Sequence, residues 1–408
     1  MTEETDIMEE KHLASGSDAT EKLYYHDSHG REFTATVLSC EEKVTAKGKK
    51  EGYRVVLDRT LFFPEGGGQF GDQGWIDGIK VTDTHEKNGV IYHETEAPVA
   101  VGTEVKGELD YKERFSRMQQ HTGEHMLSGI IHRLYGYDNV GFHLGAAETT
   151  MDFNGELTLE QVREVEKLAN QAVWDNIPVE ILYPTKEELA TMDYRSKIEI
   201  EGQVRLVEIP GVDICACCAP HVTHTGEIGM IKFIACDRHR GGCRVTMLAG
   251  IRALKDYQEK QEQVTAVSVA LSAKPEKIGE AVLRLKEQQE ATRFQLNRMQ
   301  AIYLEQKLDS ISKEDTFALL FEEDLDNVAV RNFVNSAVER FEGICAAFVG
   351  TDEKGYRYIL GSKIKDVREL AKELNTRFAG KGGGKPEMVQ GSLNGTEAGI
   401  RSAIGDFL

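Results

Sequence analysis

Apolar and polar residues trade places in short runs through the first hundred positions. The segments "FTATVLSC", "YRVVLD", "TLFFPEGGGQFGDQGWI", "IKVTDTHE" and "GVIYHE" alternate with turn signals between Lys22 and about Val105. That spacing predicts a small β-barrel or sandwich. The glycines of "PEGGGQFGDQG" permit tight turns and close backbone approach. From about Asp110 the period becomes helical: Phe115, Met118, Met126, Leu127, Ile130, Ile131 and Leu134 recur at helix spacing, up to Gly136. Strands are expected at "TTMDFNG", "VEILYP", "VRLVEI", "GMIKFIA" and "CRVTMLAG", with a helix over "TLEQVREVEKLANQAVWDN".

The stretch from Ile251 to Leu308 is almost entirely helix-forming, and Pro275 divides it in two. Its second half carries an imperfect heptad (Val282, Leu285, Leu296, Met299, Tyr303) interrupted by Gln289 and Thr292, the pattern of a helical hairpin or spacer rather than a long zipper. Strand-like runs then return at "NVAVRNF", "GICAAFVG" and "YRYILGS", followed by a helix over "DVRELAKELNTRF" and a glycine loop, "AGKGGGKPEMVQGSL". The expected class is α+β. Residues 1–21 read as a disordered acidic extension, 22–109 as a β-barrel domain and 110–257 as an α+β domain. A helical spacer over 258–312 and a C-terminal α/β domain over 313–408 complete the expected organisation.

A chain of 408 residues can bury a sizeable core in two or three domains. No apolar run reaches the ~18 residues of a membrane span, and the start "MTEETDIMEE" lacks the basic-then-apolar order of a signal peptide. A cytoplasmic location is therefore expected, and three of the seven cysteines cluster in "CACCAPH" (Cys215, Cys217, Cys218). In that compartment such a cluster points to metal or thiol chemistry, whereas Cys40, Cys236, Cys243 and Cys345 read as core filling. A formal charge of -19 excludes nonspecific nucleic-acid binding by the whole surface, but not a local basic face. Lysines and arginines outnumber acids between Lys354 and Lys385, which reads either as a nucleic-acid face or as a solvated helix with a mobile loop.

On a helix, His121 and His125 of "HTGEH" lie one turn apart on one face and can point at one ion. With twelve histidines, one such pair arises by chance roughly a third of the time, so the pair alone does not specify a site. Cys217 and His221 repeat the four-residue spacing, and the combined His3Cys set suits zinc, in a structural or an open, reactive site. Cys218 with His221 offers an alternative spacing, and Cys215 is a further thiol beside it. His-x-x-Glu-His is also the inverted metallopeptidase signature, with Glu124 as general base, although that class takes a downstream carboxylate as its third ligand. The second "HTGE", at His224 to Glu227, falls in the turn before the strand "MIKFIA".

"HTGEHMLS", followed about ninety residues later by "CCAPHVTHTGEIGMIKF", resembles the paired HxxxH and CxxxH motifs of the alanyl-tRNA synthetase editing domain. "FFPEGGGQFGDQG" is similar to that family's barrel motif, "GIRALKDY" to the end of its editing domain, and "GKGGGKPEMVQGSL" to a DHHA1-type C-terminal domain. Five collinear motifs from residue ~22 to ~400 match the long form of the free-standing AlaX-type editing proteins. The chain begins directly at the barrel, so the resemblance implies a trans-acting hydrolase that deacylates mischarged Ser- or Gly-tRNA(Ala), not a synthetase. It also implies one zinc ion per chain on His121, His125, Cys217 and His221, and leaves room for a homodimer. Two departures lie near the expected pocket: Cys-Cys-Ala-Pro-His replaces the usual "CGGTH", and Glu124 stands where a small hydroxyl residue can occur.

Glu124 and His143 are the candidates to position or deprotonate water; a turn histidine with a structural purpose is the other reading of His143. Expected tRNA contacts are Lys232, Arg238, His239, Arg240 and Arg244 in "KFIACDRHRGGCR", and Lys381 and Lys385 in the glycine loop. Two competing functions are a zinc-stabilised tRNA-binding protein without catalysis and the inverted-motif peptidase.

Overall fold

The computed structural model describes residues 19–44, 50–196, 203–312 and 317–407; residues 1–18 of the expected acidic extension lie outside the described residues. The chain divides into two compact units, Met1–Gln263 and Val264–Leu408. The first opens with a closed barrel of β1 (Glu32–Val44), β2 (Lys50–Leu57), β3 (Gly74–Ile76), β4 (Ile79–Lys87), β5 (Val90–Thr95) and β6 (Glu104–Leu109), in the order β1-β2-β5-β4-β3-β6. Period-2 alternation sets its inside: Phe33, Ala35 and Val37 of β1 point inward with Val55, Val81 and Val105. Closure leaves no free sheet edge.

Asp110 ends the barrel and starts helix α1 (Tyr111–Tyr135), its carboxylate accepting from the Glu113 amide; Gly136, at φ 70°, stops the helix. The hydrophobic stripe predicts one buried face, yet α1 is buried all round from Ser116 to Ile131. Its apolar side packs on the antiparallel sheet β12-β13-β8-β7, made of β7 (Asn139–Leu144), β8 (Thr149–Phe153), β12 (Ile231–His239) and β13 (Gly242–Ala249), and on helix α2 (Leu159–Trp174). Its polar side is covered by the 66–72 barrel loop and by a three-stranded sheet of β9 (Glu180–Leu182), β10 (Leu206–Ile209) and β11 (Asp213–Ala216). Buried polar groups must find partners, and Gln120 shows how one does. Gln120 brackets Ala249, donating to its carbonyl at 2.6 Å and accepting from its amide at 2.9 Å. Gly129 is required by close approach: a Cβ there would lie 2.5 Å from the Val212 carbonyl and 2.6 Å from Asp213 Cβ.

Helix α3 (Gly250–Ala270) continues from β13 without a break and crosses the expected boundary at residue 257. Pro275 starts a short 3-10 turn and then helix α4 (Ile278–Asp309), as its missing amide and fixed φ predict. The heptad residues Val282, Leu285, Leu296, Met299 and Tyr303 are all exposed. In the second unit the sheet β14-β15-β16-β18-β17 combines β14 (Phe317–Glu322), β15 (Ile344–Thr351), β16 (Gly355–Gly361), β17 (Lys381–Lys385) and β18 (Met388–Leu393). It carries helices α5 (Asn327–Arg340), α6 (Val367–Arg377) and α7 (Glu397–Asp406).

Two expectations are corrected here. "NVAVRNF" opens α5 rather than forming a strand, because the Asp326 carboxylate caps the amides of Val328 and Ala329 and the apolar residues fall at helical spacing. The glycine loop "KGGGK" is the edge strand β17, antiparallel to β18. Its glycines let the ladder close, since a Cβ at Gly384 would lie 2.2 Å from the Met388 carbonyl.

Candidate metal centre

Helix α1 brings His121 and His125 onto one face, and the turn after β11 brings Cys217 and His221 against them; the four donor atoms all lie within 4.8 Å of one another. The buried group could hold a metal ion. Cys217 Sγ is 3.6 Å from His121 Nε2 and 3.4 Å from His221 Nε2. For tetrahedral bonds of ~2.3 Å to sulfur and ~2.05 Å to nitrogen, the sulfur–nitrogen edge is about 3.6 Å. The two sulfur–nitrogen distances are thus close to that edge. Of the neighbouring thiols, Cys215 joins His125 and Asp213 in a separate grouping, and Cys218 is exposed.

Each imidazole has its other nitrogen engaged. His121 Nδ1 meets Gln69 Oε1 at 3.0 Å, His125 Nδ1 meets Asp213 Oδ2 at 3.2 Å, and His221 Nδ1 meets Thr122 Oγ1 at 3.0 Å. Such contacts fix ring orientation and leave Nε2 for the ion. Asp213 is held by Arg195 through a bidentate pair at 2.7 and 2.8 Å. Burial alone would raise its pKa, but the hydrogen bonds from Arg195 and His125 outweigh that and keep the carboxyl below its ordinary value. Burial also pushes the Cys217 thiol well up and His221 well down. Without an ion the set is thus a neutral thiol beside a neutral imidazole, and metal binding would release the thiol proton.

Glu124 is buried at the same centre. Its Oε1 accepts from Ser128 Oγ at 2.8 Å and Asn139 Nδ2 at 2.6 Å, and its Oε2 lies 3.9 Å from His125 Nε2. His143 is different: on β7 its neighbour Phe142 packs on His121 at 4.9 Å, while the exposed His143 meets Phe70 edge-on at 6.0 Å. Successive strand residues face opposite ways, so the strand that brings Phe142 to the centre turns His143 away from it. Glu227 of the second "HTGE" accepts from the amides of Thr223 and His224, a capping role in the turn. The four-residue group contains no carboxylate, the ligand that the peptidase reading needs.

The basic segment along β12 and β13 is largely compensated. Lys232 pairs with Glu166 at 2.6 Å, Arg238 with Glu156 at 3.3 Å, and Arg244 with Asp152 through two contacts at 2.6 and 2.8 Å. His239 also approaches Asp152, at 3.7 Å, and Arg240 occupies the turn with φ 46°. By contrast, Lys381 and Lys385 are exposed at the ends of β17. Beside them a groove of about 390 Å³ runs between β17 and α6, lined by Arg368, Lys372, Asn375, Thr376 and the strand's glycines.

Sequence reading passes over Gln69, Thr122 and Asp213, the residues that orient the three imidazoles. Gln69 stands inside the glycine motif and Thr122 inside "HTGEH", but a side chain that acts through space carries no spacing signal of its own.

Comparison with known proteins places the chain among its relatives. Residues 1–113 match the family of class II (A) tRNA synthetases, 204–246 the second additional domain of threonyl and alanyl tRNA synthetases, and 314–406 the DHHA1 domain. The second of these contains Cys217 and His221. The chain is 31% identical to the alanyl-tRNA editing protein AlaX-L of Pyrococcus horikoshii, over 91% of this chain and 94% of that one. It is 29% identical to the mouse alanyl-tRNA editing protein Aarsd1, over 90% and 93%. Similarity to the alanine–tRNA ligase of Pyrococcus abyssi, at 30%, covers 92% of this chain but 42% of that enzyme.

Proposed function

Because the chain belongs to the alanyl-tRNA editing proteins, we propose that it deacylates tRNA(Ala) mischarged with serine, or with glycine, by zinc-dependent hydrolysis of the aminoacyl ester. The observation that carries this reading is the convergence of His121, His125, Cys217 and His221, whose donor atoms lie within 4.8 Å of one another, with Glu124 Oε2 3.9 Å from His125 Nε2. A bound zinc ion supplies a Lewis acid and lowers the pKa of water. Glu124, anchored through Oε1 by Ser128 and Asn139, takes the proton from water as it adds to the ester carbonyl and returns it to the departing ribose oxygen. His143 has no part in this scheme; its exposed ring suits contact with the tRNA end.

For the tRNA body, the compensated cations Lys232, Arg238 and Arg244 are poor sources of attraction. Arg240, Lys381 and Lys385 are the better phosphate contacts, with the β17–α6 groove accommodating backbone. The test is to incubate the zinc-loaded full chain with Ser-, Gly- and Ala-tRNA(Ala). Serine should be released at least about tenfold faster than alanine, the span one hydroxyl in a matched pocket readily gives. Intact Ser-tRNA(Ala), or equal loss of Ser- and Ala-tRNA(Ala), removes the reading; tight tRNA binding without hydrolysis would favour a zinc-stabilised binding protein instead.

A further inference from the structure

Gln69 is a buried amide with only one end in use. The residue is 1% exposed, and Oε1 accepts from His121 Nδ1 at 3.0 Å. With a metal ion held on His121 Nε2, Nδ1 carries the proton and donates to Oε1. The opposite end, Nε2, is buried without a hydrogen-bond partner. A buried N–H left unpaired costs about 1–3 kcal/mol, which is difficult to explain at a functional centre unless an acceptor arrives there.

The surrounding structure anchors the loop that carries Gln69. Arg117 donates to the carbonyls of Phe70 and Gly71 at 3.1 and 2.7 Å, and Arg114 Nε donates to Asp72 at 2.8 Å. Gly68, at φ 82°, brings the loop against β7 so closely that a Cβ would lie 2.9 Å from the Phe142 carbonyl. Gln69 then pairs with Leu144, and Leu144 with Thr149, so the three side chains share one face of the sheet. Thr149 Oγ1 in that row is also buried without a partner. Gln69 Nε2 and Thr149 Oγ1 are thus two buried polar atoms without partners in one row, the first on a side chain that meets His121.

We propose that Gln69 Nε2 donates a hydrogen bond to the carbonyl oxygen of the ester under attack and holds the negative charge that develops there. The inference rests on the deacylase reading. Addition of water forms a carbon–oxygen bond and moves the carbonyl π electrons onto that oxygen. Re-formation of the carbonyl breaks the bond to the ribose oxygen, which takes up the proton given by water, leaving free amino acid and tRNA. A donor fixed before the reaction stabilises the charged stage without reorganising, and removing one such donor costs on the order of 10²-fold in kcat.

Gln69→Glu separates the two ends of the side chain, since it keeps an acceptor for His121 Nδ1 and removes the donor. The expected result on Ser-tRNA(Ala) is a kcat about 10²-fold lower, with KM within about twofold and zinc content by atomic spectroscopy equal to the parent. A 3′-phosphonate analogue of seryl-adenosine, which carries the tetrahedral oxyanion, should bind the variant weaker by a similar factor. In the unaltered protein, the Gln69 side-chain amide resonance should move when that analogue is added, a readout that needs no substitution. A variant at parental kcat, an unmoved amide resonance, or zinc and activity lost in equal proportion would each overturn the inference, the last by reducing Gln69 to a support for His121. Failure of the unaltered zinc-loaded protein to hydrolyse Ser-tRNA(Ala) would instead refute the deacylase reading itself.

Discussion

Replacing Asp213 with asparagine tests how far the centre depends on its supporting residues. Asp213 Oδ2 lies 3.2 Å from His125 Nδ1, and asparagine preserves the shape while removing the charge. Loss of a carboxylate partner behind a metal-bound histidine typically lowers metal affinity 10–100-fold, or about 1.4–2.7 kcal/mol. Arg195 engages both carboxylate oxygens at 2.7 and 2.8 Å, so His125 receives only part of the charge. The lower half of that range, about 10–30-fold, is the expected loss. Arg195 would also lose its ion partner, and its side chain is only 14% exposed. The metal-free protein should therefore lose on the order of 2 kcal/mol of stability. The folded-state pKa of Asp213 lies below its unfolded value, so its contribution is present above the unfolded pKa and disappears only as pH falls through the folded one. At pH 7 the comparison is free of that titration. Zinc competition against a chromophoric chelator, with thermal unfolding of both metal states, gives the two numbers. An affinity within twofold of the parent would refute the argument that Asp213 supports His125.

Glu124→Gln should keep zinc at parental occupancy while lowering kcat on Ser-tRNA(Ala) by 10²–10⁴-fold; single-turnover kinetics together with metal analysis check both halves. Buried His93 in the barrel accepts from Thr60 Oγ1 and donates to the Val55 carbonyl, and burial pushes its pKa down to about 4. Its depressed pKa means that stability is full above pH ~6.5 and is lost as pH falls toward 4, so between pH 7 and 4.5 the protein should lose about 2–3 kcal/mol that a His93→Gln protein does not. Urea unfolding at the two pH values measures the difference, and equal losses would remove His93 as its source. The double change Lys381→Ala, Lys385→Ala should weaken tRNA binding and flatten log K against log[salt] by about 1.4–1.8, two phosphate contacts' worth; an unchanged slope in filter-binding titrations would show that β17 does not touch the backbone.

Local chemistry made several parts of this protein legible. Alternation marked the barrel strands, the change of period at Asp110 marked α1, and Pro275 marked the break before α4, because each depends on neighbours in the chain. The four-residue spacings nominated His121, His125, Cys217 and His221, and folding brings all four together. The stripe of α1 could not reveal that its polar face is buried too, since what covers that face comes from residues 66–72 and from β11. "KGGGK" has the composition of a loop, and only the ladder with β18 makes it a strand. Charge along β12 and β13 looked like a basic patch until Glu166, Glu156 and Asp152 arrived from 66 to 92 positions away in sequence. Residue types and their spacing thus determined which atoms could bind a metal. Tertiary structure alone decided which nitrogens face inward, that Glu124 lies against the site, and that one end of Gln69 remains without a partner, because hydrogen bonds and ion pairs between distant segments exist only once the chain has closed.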